Sequence, residues 1–185
     1  MDKEQLRQVF HLVIGLIAIW ILATLGRNWL MAATFFTLII GMLLINQTML
    51  GRKIGLVEIF VRHLERKDVI LPGWGSAVYA AGVLILVTAL ENTPQIAAGI
   101  FILAVGDSFS TVVGRKGTHK VPYNKKKTIE GMIAFFVSCL PAYVLIGPLA
   151  IPIALVAAIV ESLPLPVDDN ISIPIVYVLL FLLIG

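Results

Sequence analysis

The chain has 185 residues, of which 59% are hydrophobic and only 14% charged, with a formal net charge of +3 at pH 7. A soluble domain of this length cannot hide so much apolar surface, and the length leaves no room for a separate soluble catalytic module. Lipid accepts such a surface directly, so residues 1–185 read as one integral-membrane catalytic domain whose chemistry sits in the bundle or its short loops.

Every backbone group in lipid needs an internal partner, which makes the expected class all-α: a polytopic bundle of about seven spanning helices. Apolar runs that reach or approach the roughly 20 residues needed to cross about 30 Å of hydrocarbon predict spans at 8–25, 29–49, 74–90, 95–113, 129–147, 148–161 and 171–184. The first run lacks a small-x-small cleavage site and reads as a retained helix. Seven crossings place the two termini on opposite sides. With the N-terminus cytoplasmic, Lys3, Arg7, Arg52, Lys53, Arg62, Arg66, Lys67 and the six basic residues from Arg115 to Lys127 all lie inside, and only Arg27 lies outside. That asymmetry is what the positive-inside rule requires. The expected location is therefore a multi-pass protein of the cell membrane with its working end on the cytoplasmic face.

Residues 56–69 set apolar positions 56, 57, 60, 61 and 64 against charges at 58, 62, 65, 66 and 67, predicting an amphipathic cytoplasmic helix on the membrane surface. A basic connector that fixes topology is the plainer alternative, and His63 reads as a surface residue. Trp20, Trp29 and Trp74 read as interface anchors. Asn46-Gln-Thr and Asn170-Ile-Ser match the glycosylation triplet but lie at predicted cytoplasmic ends, which discounts them. Cys139 is the chain's one cysteine, so it forms no internal disulfide and reads as a small buried hydrophobe.

The stretch 106–131 dominates the chemistry. It enters from an apolar segment at Asp107, crosses a loop with six of the chain's fourteen Lys+Arg residues, and re-enters an apolar segment at Glu130. Ionisable residues at the edge of spanning segments are functional candidates because a bilayer makes them expensive. Asp107, Ser110, Thr111 and Gly114 share one helical face, and a carboxylate there suits a hard cation such as Mg²⁺. Glu130, Ala134 and Ser138 form a second face, with Thr128 as N-cap, and the two faces are expected to bring Asp107 and Glu130 together. The loop between them has glycines that admit phosphate oxygens to backbone N–H groups and cations that neutralise them. It contains neither GxxxxGK[ST] nor GxGxxG. A structural hydrogen bond for Asp107 and a topogenic loop attracted to anionic lipid are the competing readings. Taken together, the stretch reads as a site for a metal-bound nucleoside triphosphate.

Glu161 ends an apolar helix at the same membrane face, and Asp168-Asp169-Asn170 comes soon after it. This oxygen-rich run suits a second metal position or a nucleotide ribose, and also an ordinary turn between helices. At the front, Arg7, His11 and Gly15 make a helical stripe. His11 reads either as a buried hydrogen-bonding histidine or as a contact to phosphate or a substrate hydroxyl.

Gly106-Asp107-Ser108 with Gly114-Arg115, Val121-Pro-Tyr-Asn-Lys125 and Lys127-Thr-Ile-Glu-Gly131 resembles the membrane family of phytol kinases, dolichol (polyprenol) kinases and CTP-dependent diacylglycerol kinases. Glu161-Ser-Leu-Pro with Asp168-Asp169-Asn170 and Pro174 looks most like the phytol kinase branch, and Arg7-x3-His11-x3-Gly15 is similar to that family's opening helix. The resemblance implies transfer of the terminal phosphoryl of a nucleoside triphosphate, commonly CTP, to the hydroxyl of a membrane isoprenoid alcohol such as phytol, geranylgeraniol, a polyprenol or dolichol. It implies that Asp107 holds Mg²⁺ or activates the hydroxyl and that Glu130 helps complete the metal and nucleotide site; with His11 these are the candidate catalytic residues. Ser110, Gly114, Arg115, Gly117, Lys120, Asn124, Lys125, Lys127 and Asn170 would bind nucleotide and phosphate; Asp107, Glu161, Asp168 and Asp169 would hold Mg²⁺. A CTP-dependent diacylglycerol kinase, a CDP-lipid cytidylyltransferase, and a transporter or scaffold that binds anionic lipid are the rival readings. No nucleic-acid partner is expected, and an oligomer is compatible with the sequence.

Overall fold

The computed structural model describes residues 2–55, 57–59 and 71–184. Among them, seven principal helices run in the order α1 (Lys3–Leu25), α2 (Arg27–Met49), α3 (Trp74–Ala89), α4 (Thr93–Gly114), α5 (Ile129–Cys139), α6 (Ala150–Ser162) and α7 (Asp169–Ile184). Between α4 and α5 stands a short antiparallel hairpin of β1 (Lys120–Val121) and β2 (Asn124–Thr128). Four stretches are long and apolar enough to cross a membrane, and α3 and α7 are shorter apolar helices. The protein is an all-α integral membrane bundle, as its composition predicts. Of the surface helix expected over 56–69, residues 57–59 are described and helical, while the rest, with His63, lies outside the described residues.

One apolar stretch, Ile129–Ser162, is a folded-back pair rather than a single span. The chain reverses at Gly147, whose φ of 59° and ψ of −146° suit only glycine. Pro148 then opens the next helical turn, and α5 and α6 pack side by side. This Gly-Pro pair is the physical reason for the expected division at 147/148.

Helix α4 is the pillar of the bundle, with Ile96, Ile100, Ile102 and Leu103 fully buried. Helix α1 starts with a capping box between Asp2 and Gln5, then turns the stripe Gln8, His11, Gly15, Ala18 and Leu22 inward. Those three- and four-residue steps are the spacing of one helix face. Helix α2 buries only Leu30 and Thr34, leaving Phe35, Phe36, Ile40 and Met42 exposed as a lipid-facing surface. Arg27, the one basic residue expected at the far end, donates to the carbonyls of Val87 at 2.8 Å and Thr88 at 3.0 Å. It caps the C-terminus of α3, where a cation also meets the negative end of the helix dipole.

The crossing of α3 and α7 depends on a glycine. Pro174 has no N–H for the Asn170 carbonyl four residues earlier, so that oxygen leaves the helical ladder. It lies where a side chain on Gly82 would have to stand, and Pro174 Cγ is 3.1 Å from the same point. Gly82→Ala therefore collides with backbone, and the bundle should lose about 1–3 kcal/mol or more. A thermal unfolding scan in detergent checks this, and an unchanged midpoint would contradict the packing.

Candidate functional site

The first contributor is a defect in α4. Residues Ile102–Gly106 form a π-helical turn immediately before Asp107. Such turns widen a helix, re-aim the side chains just beyond them, and gather at functional positions. Gly106 accepts Phe135 and Cys139 of α5 against its bare Cα, and Gly114 accepts Gly131. Helix α5 therefore runs antiparallel along α4, with its first turn at the level of the basic loop.

Thr128 caps α5 as expected, accepting from the Gly131 N–H at 3.2 Å and donating to the Gly114 carbonyl at 3.1 Å. The hairpin preceding it turns at Pro122-Tyr123 and is clipped to the end of α6. The Tyr123 hydroxyl bonds Ser162 Oγ at 2.7 Å, and Asn124 Nδ2 donates to the Ser162 carbonyl at 3.0 Å. This clip carries Lys127 over the ends of α6 and α7.

There the carboxylates of Asp107, Glu161 and Asp169 place an oxygen each within 4.8 Å of one another. Asp107 and Glu161 are 8% and 1% exposed. Lys127 Nζ donates to Glu161 and, at 2.8 Å, to Asp169 Oδ2, while Ser110 Oγ donates to Glu161 Oε1 at 2.6 Å. Asp107 completes the triangle and takes no part in the lysine bridge. Burial works against the Lys127 charge, but Glu161 and Asp169 outweigh it and hold the ammonium's pKa above its ordinary value. The lysine thus stays charged through the physiological range.

Three acids against one lysine give the cluster a formal charge of minus two in a largely buried place. Carboxylate oxygens at this mutual distance are the donor set of a hard divalent cation. Beside them opens a cavity of about 450 Å³ lined by Ser110, Thr111, Gly114, Arg115, Lys120, Lys126, Lys127 and Glu161. Its size falls in the range of about 300–1,000 Å³ typical of small-molecule sites. Arg115 is steadied by both oxygens of Asp2 at 3.0 Å, and the Asp2 carboxyl sits below its usual range through the Gln5 N–H and then Arg115.

Several residues expected in the site stand elsewhere. Glu130 does not meet Asp107 in the carboxylate cluster. It turns to the loop, accepting from the Thr118 N–H at 2.9 Å, the His119 N–H at 3.1 Å and the His119 ring at 2.7 Å. Gly117 packs on it, 2.7 Å separating Glu130 Oε2 from where a β-carbon would be. Asp168 is not one of the clustered acids; it caps α7, accepting from the Asn170 N–H and side chain at 3.0 and 2.8 Å. Lys125 is exposed, and Lys126 lines the cavity in its stead. Asn124 works as a clip. Asn170 stays near the cluster with a buried, unpartnered Oδ1. His11 lines a different cavity from the one under the basic loop, its ring 4.5 Å from that of Tyr79. Lys126, Tyr79 and Glu4, which also borders the cavity, carry no signal in the sequence that marks them for the site.

An uncharacterised protein of Methanocaldococcus jannaschii is 32% identical over 94% of this chain and 90% of its own length. The chloroplastic farnesol kinase of Arabidopsis thaliana is 28% identical over 93% of this chain. A probable phytol kinase of Triticum aestivum is 33% identical over 70% of it. The chain spans 62% and 50% of the length of those two plant proteins. No protein-family model matches the chain, and no solved structure matches it. Matched nearly end to end by the archaeal protein and over most of its length by enzymes named for prenyl alcohols, the chain belongs to the phytol and polyprenol kinase family of membrane proteins.

Proposed function

We propose that this protein transfers the terminal phosphoryl group of a nucleoside triphosphate to the hydroxyl of a membrane isoprenoid alcohol, at the cytoplasmic face of the cell membrane. The carrying observation is the carboxylate triangle of Asp107, Glu161 and Asp169 standing between membrane helices and a lysine-rich cavity. Phosphoryl transfer demands positioning and charge neutralisation more than covalent chemistry, and this arrangement supplies both. CTP is the donor favoured by the family resemblance.

In this reading Arg115, Lys120 and Lys126 neutralise the phosphate chain in the cavity, with the Gly114 turn at its floor. Asp107, Glu161 and Asp169 would hold Mg²⁺, which when bound supplies Lewis-acid neutralisation of phosphate oxygens. Lys127 and Ser110 keep Glu161 and Asp169 oriented. Asp107, outside that bridge, takes the proton of the acceptor hydroxyl as its oxygen bonds to the terminal phosphorus. The bond from that phosphorus to the bridging oxygen breaks, and a nucleoside diphosphate leaves.

The test is purified protein in nanodiscs with Mg²⁺, each of the four nucleotides labelled on the terminal phosphate, and a panel of alcohols. The expected product is a labelled prenyl monophosphate, with CTP the best donor. Labelled diacylglycerol phosphate alone would replace the acceptor with diacylglycerol. Pyrophosphate release with a nucleotide-linked lipid would make the protein a cytidylyltransferase. No labelled lipid from any pairing would overturn the kinase reading.

A further inference from the structure

Helices α1, α2 and α3 enclose an apolar groove of about 340 Å³. It runs along α1 from Phe10 to Ile21, eleven steps or roughly 16 Å of helix, and is bordered by Leu30–Thr37 on α2 and Ser76–Val83 on α3. Thr34 and Thr37 bond back to their own helix, at the Leu30 and Ala33 carbonyls, so they bring no open donor to it. At the end nearest the carboxylates stand His11 and Tyr79, 6% and 4% exposed. His11 Nδ1 and the Tyr79 phenol oxygen are both buried without a hydrogen-bond partner. Buried polar atoms left unpaired are costly, and two residues lining one groove that each carry one point to a polar group that arrives there, the Tyr79 phenol oxygen being held against Gly15 of α1. The Ser108 hydroxyl donates to the Gln8 carbonyl at 3.2 Å, which ties the turn carrying Asp107 to the turn carrying His11.

We propose that this groove holds the hydrocarbon chain of the acceptor, a single-chain isoprenoid alcohol, with its terminal hydroxyl between His11 Nδ1 and the Tyr79 phenol. The assignment rests on the kinase reading above and names the substrate's seat within it. An isoprenoid alcohol carries its one polar group at the chain end, and the groove offers polar partners at one end. A diacylglycerol would bring a second chain and two ester carbonyls to a groove whose one further hydroxyl, beyond Thr34, Thr37 and Tyr79, is that of Ser76. The two substrates then reach Asp107 from separate cavities that share no lining residue, the nucleotide from the one under the basic loop and the alcohol from the apolar groove. His11 and Tyr79 position the hydroxyl, while the proton passes to Asp107.

Wild-type protein and Ala33→Phe, which fills the groove from the exposed face of α2, are assayed with geraniol, farnesol and geranylgeraniol. The variant should raise KM for geranylgeraniol by about tenfold or more while leaving KM for the nucleotide unchanged. Tyr79→Phe should lower kcat/KM for every alcohol about tenfold, the loss of one hydrogen bond. A geranylgeraniol analogue with a diazirine at its far end is also photolysed on the wild-type protein, which needs no variant to fold. Labels within 14–21 and 30–37, competed by unlabelled alcohol, support the seat. Labels elsewhere, equal labelling by a diazirine phospholipid, or an unchanged KM in a folded Ala33→Phe would overturn it. Failure of the wild-type protein to phosphorylate any alcohol would instead strike the kinase reading, and the labelling pattern would still decide what the groove binds.

Discussion

Asp107→Asn should cut phosphoryl transfer by about 10²–10⁴-fold, the range for losing a positioned general base, and should leave the metal-free protein at least as stable as wild type. Both outcomes come from one geometry. Asp107, Glu161 and Asp169 crowd their oxygens within 4.8 Å, with Lys127 bridging only the last two. Two like charges held this close repel, so neutralising one relieves the folded state. Asparagine keeps the shape of the side chain and removes both its charge and its basicity. A purely structural Asp107 would give the reverse signature, a less stable protein with turnover intact. The check is the labelled-lipid assay beside thermal unfolding in EDTA, run on one preparation of each protein.

Lys127→Met should be the most damaging single change to stability around the site, costing about 3–5 kcal/mol in the absence of divalent cation, as when one partner of a buried ion pair is removed. Glu161 is 1% exposed and has only Ser110 left to satisfy it. The variant's formal charge in the cluster goes from minus two to minus three, so Mg²⁺ or Mn²⁺ should raise its unfolding temperature more than it raises that of wild type. A titration of unfolding temperature against Mn²⁺ for the two proteins measures this. Equal shifts, or none in either protein, would mean that the acids do not form a cation site.

Much of this arrangement can be read from local chemistry. The spans come from apolar length, the reversal at Gly147 from a Gly-Pro pair, and the start of α5 from the threonine at its N-cap. The pairing of acids could not be read the same way. Asp107 and Glu130 flank one loop and share helical faces with small residues, so proximity in sequence argues for their meeting. The fold answers differently because α6 and α7 return to the same end of the bundle and deliver Glu161 and Asp169, 54 and 62 residues beyond Asp107. Glu130 is left to hold the Thr118–His119 turn.

The basic loop differs from its sequence reading for a similar reason. Read as a loop of glycines and cations for phosphate, it is a hairpin whose strand β2 sends Lys127 to the acids and puts Lys126 in the cavity wall. Strand pairing across so short a hairpin depends on the Tyr123 and Asn124 clip to Ser162, a contact between distant segments. The π-helical turn before Asp107 has no composition signal, since Ile-Leu-Ala-Val-Gly reads as ordinary apolar helix. Tyr79 is equally silent, one of three hydroxyl residues in an apolar span. Its meaning comes only from lying against His11 at the end of a groove.

The most direct measurement is a structure of the protein in nanodiscs with Mg²⁺ and a non-hydrolysable CTP analogue. The account predicts a triphosphate against Arg115, Lys120 and Lys126, with cation density touching Asp107, Glu161 and Asp169. Nucleotide bound away from these carboxylates, or the three acids facing lipid with no ion among them, would contradict it.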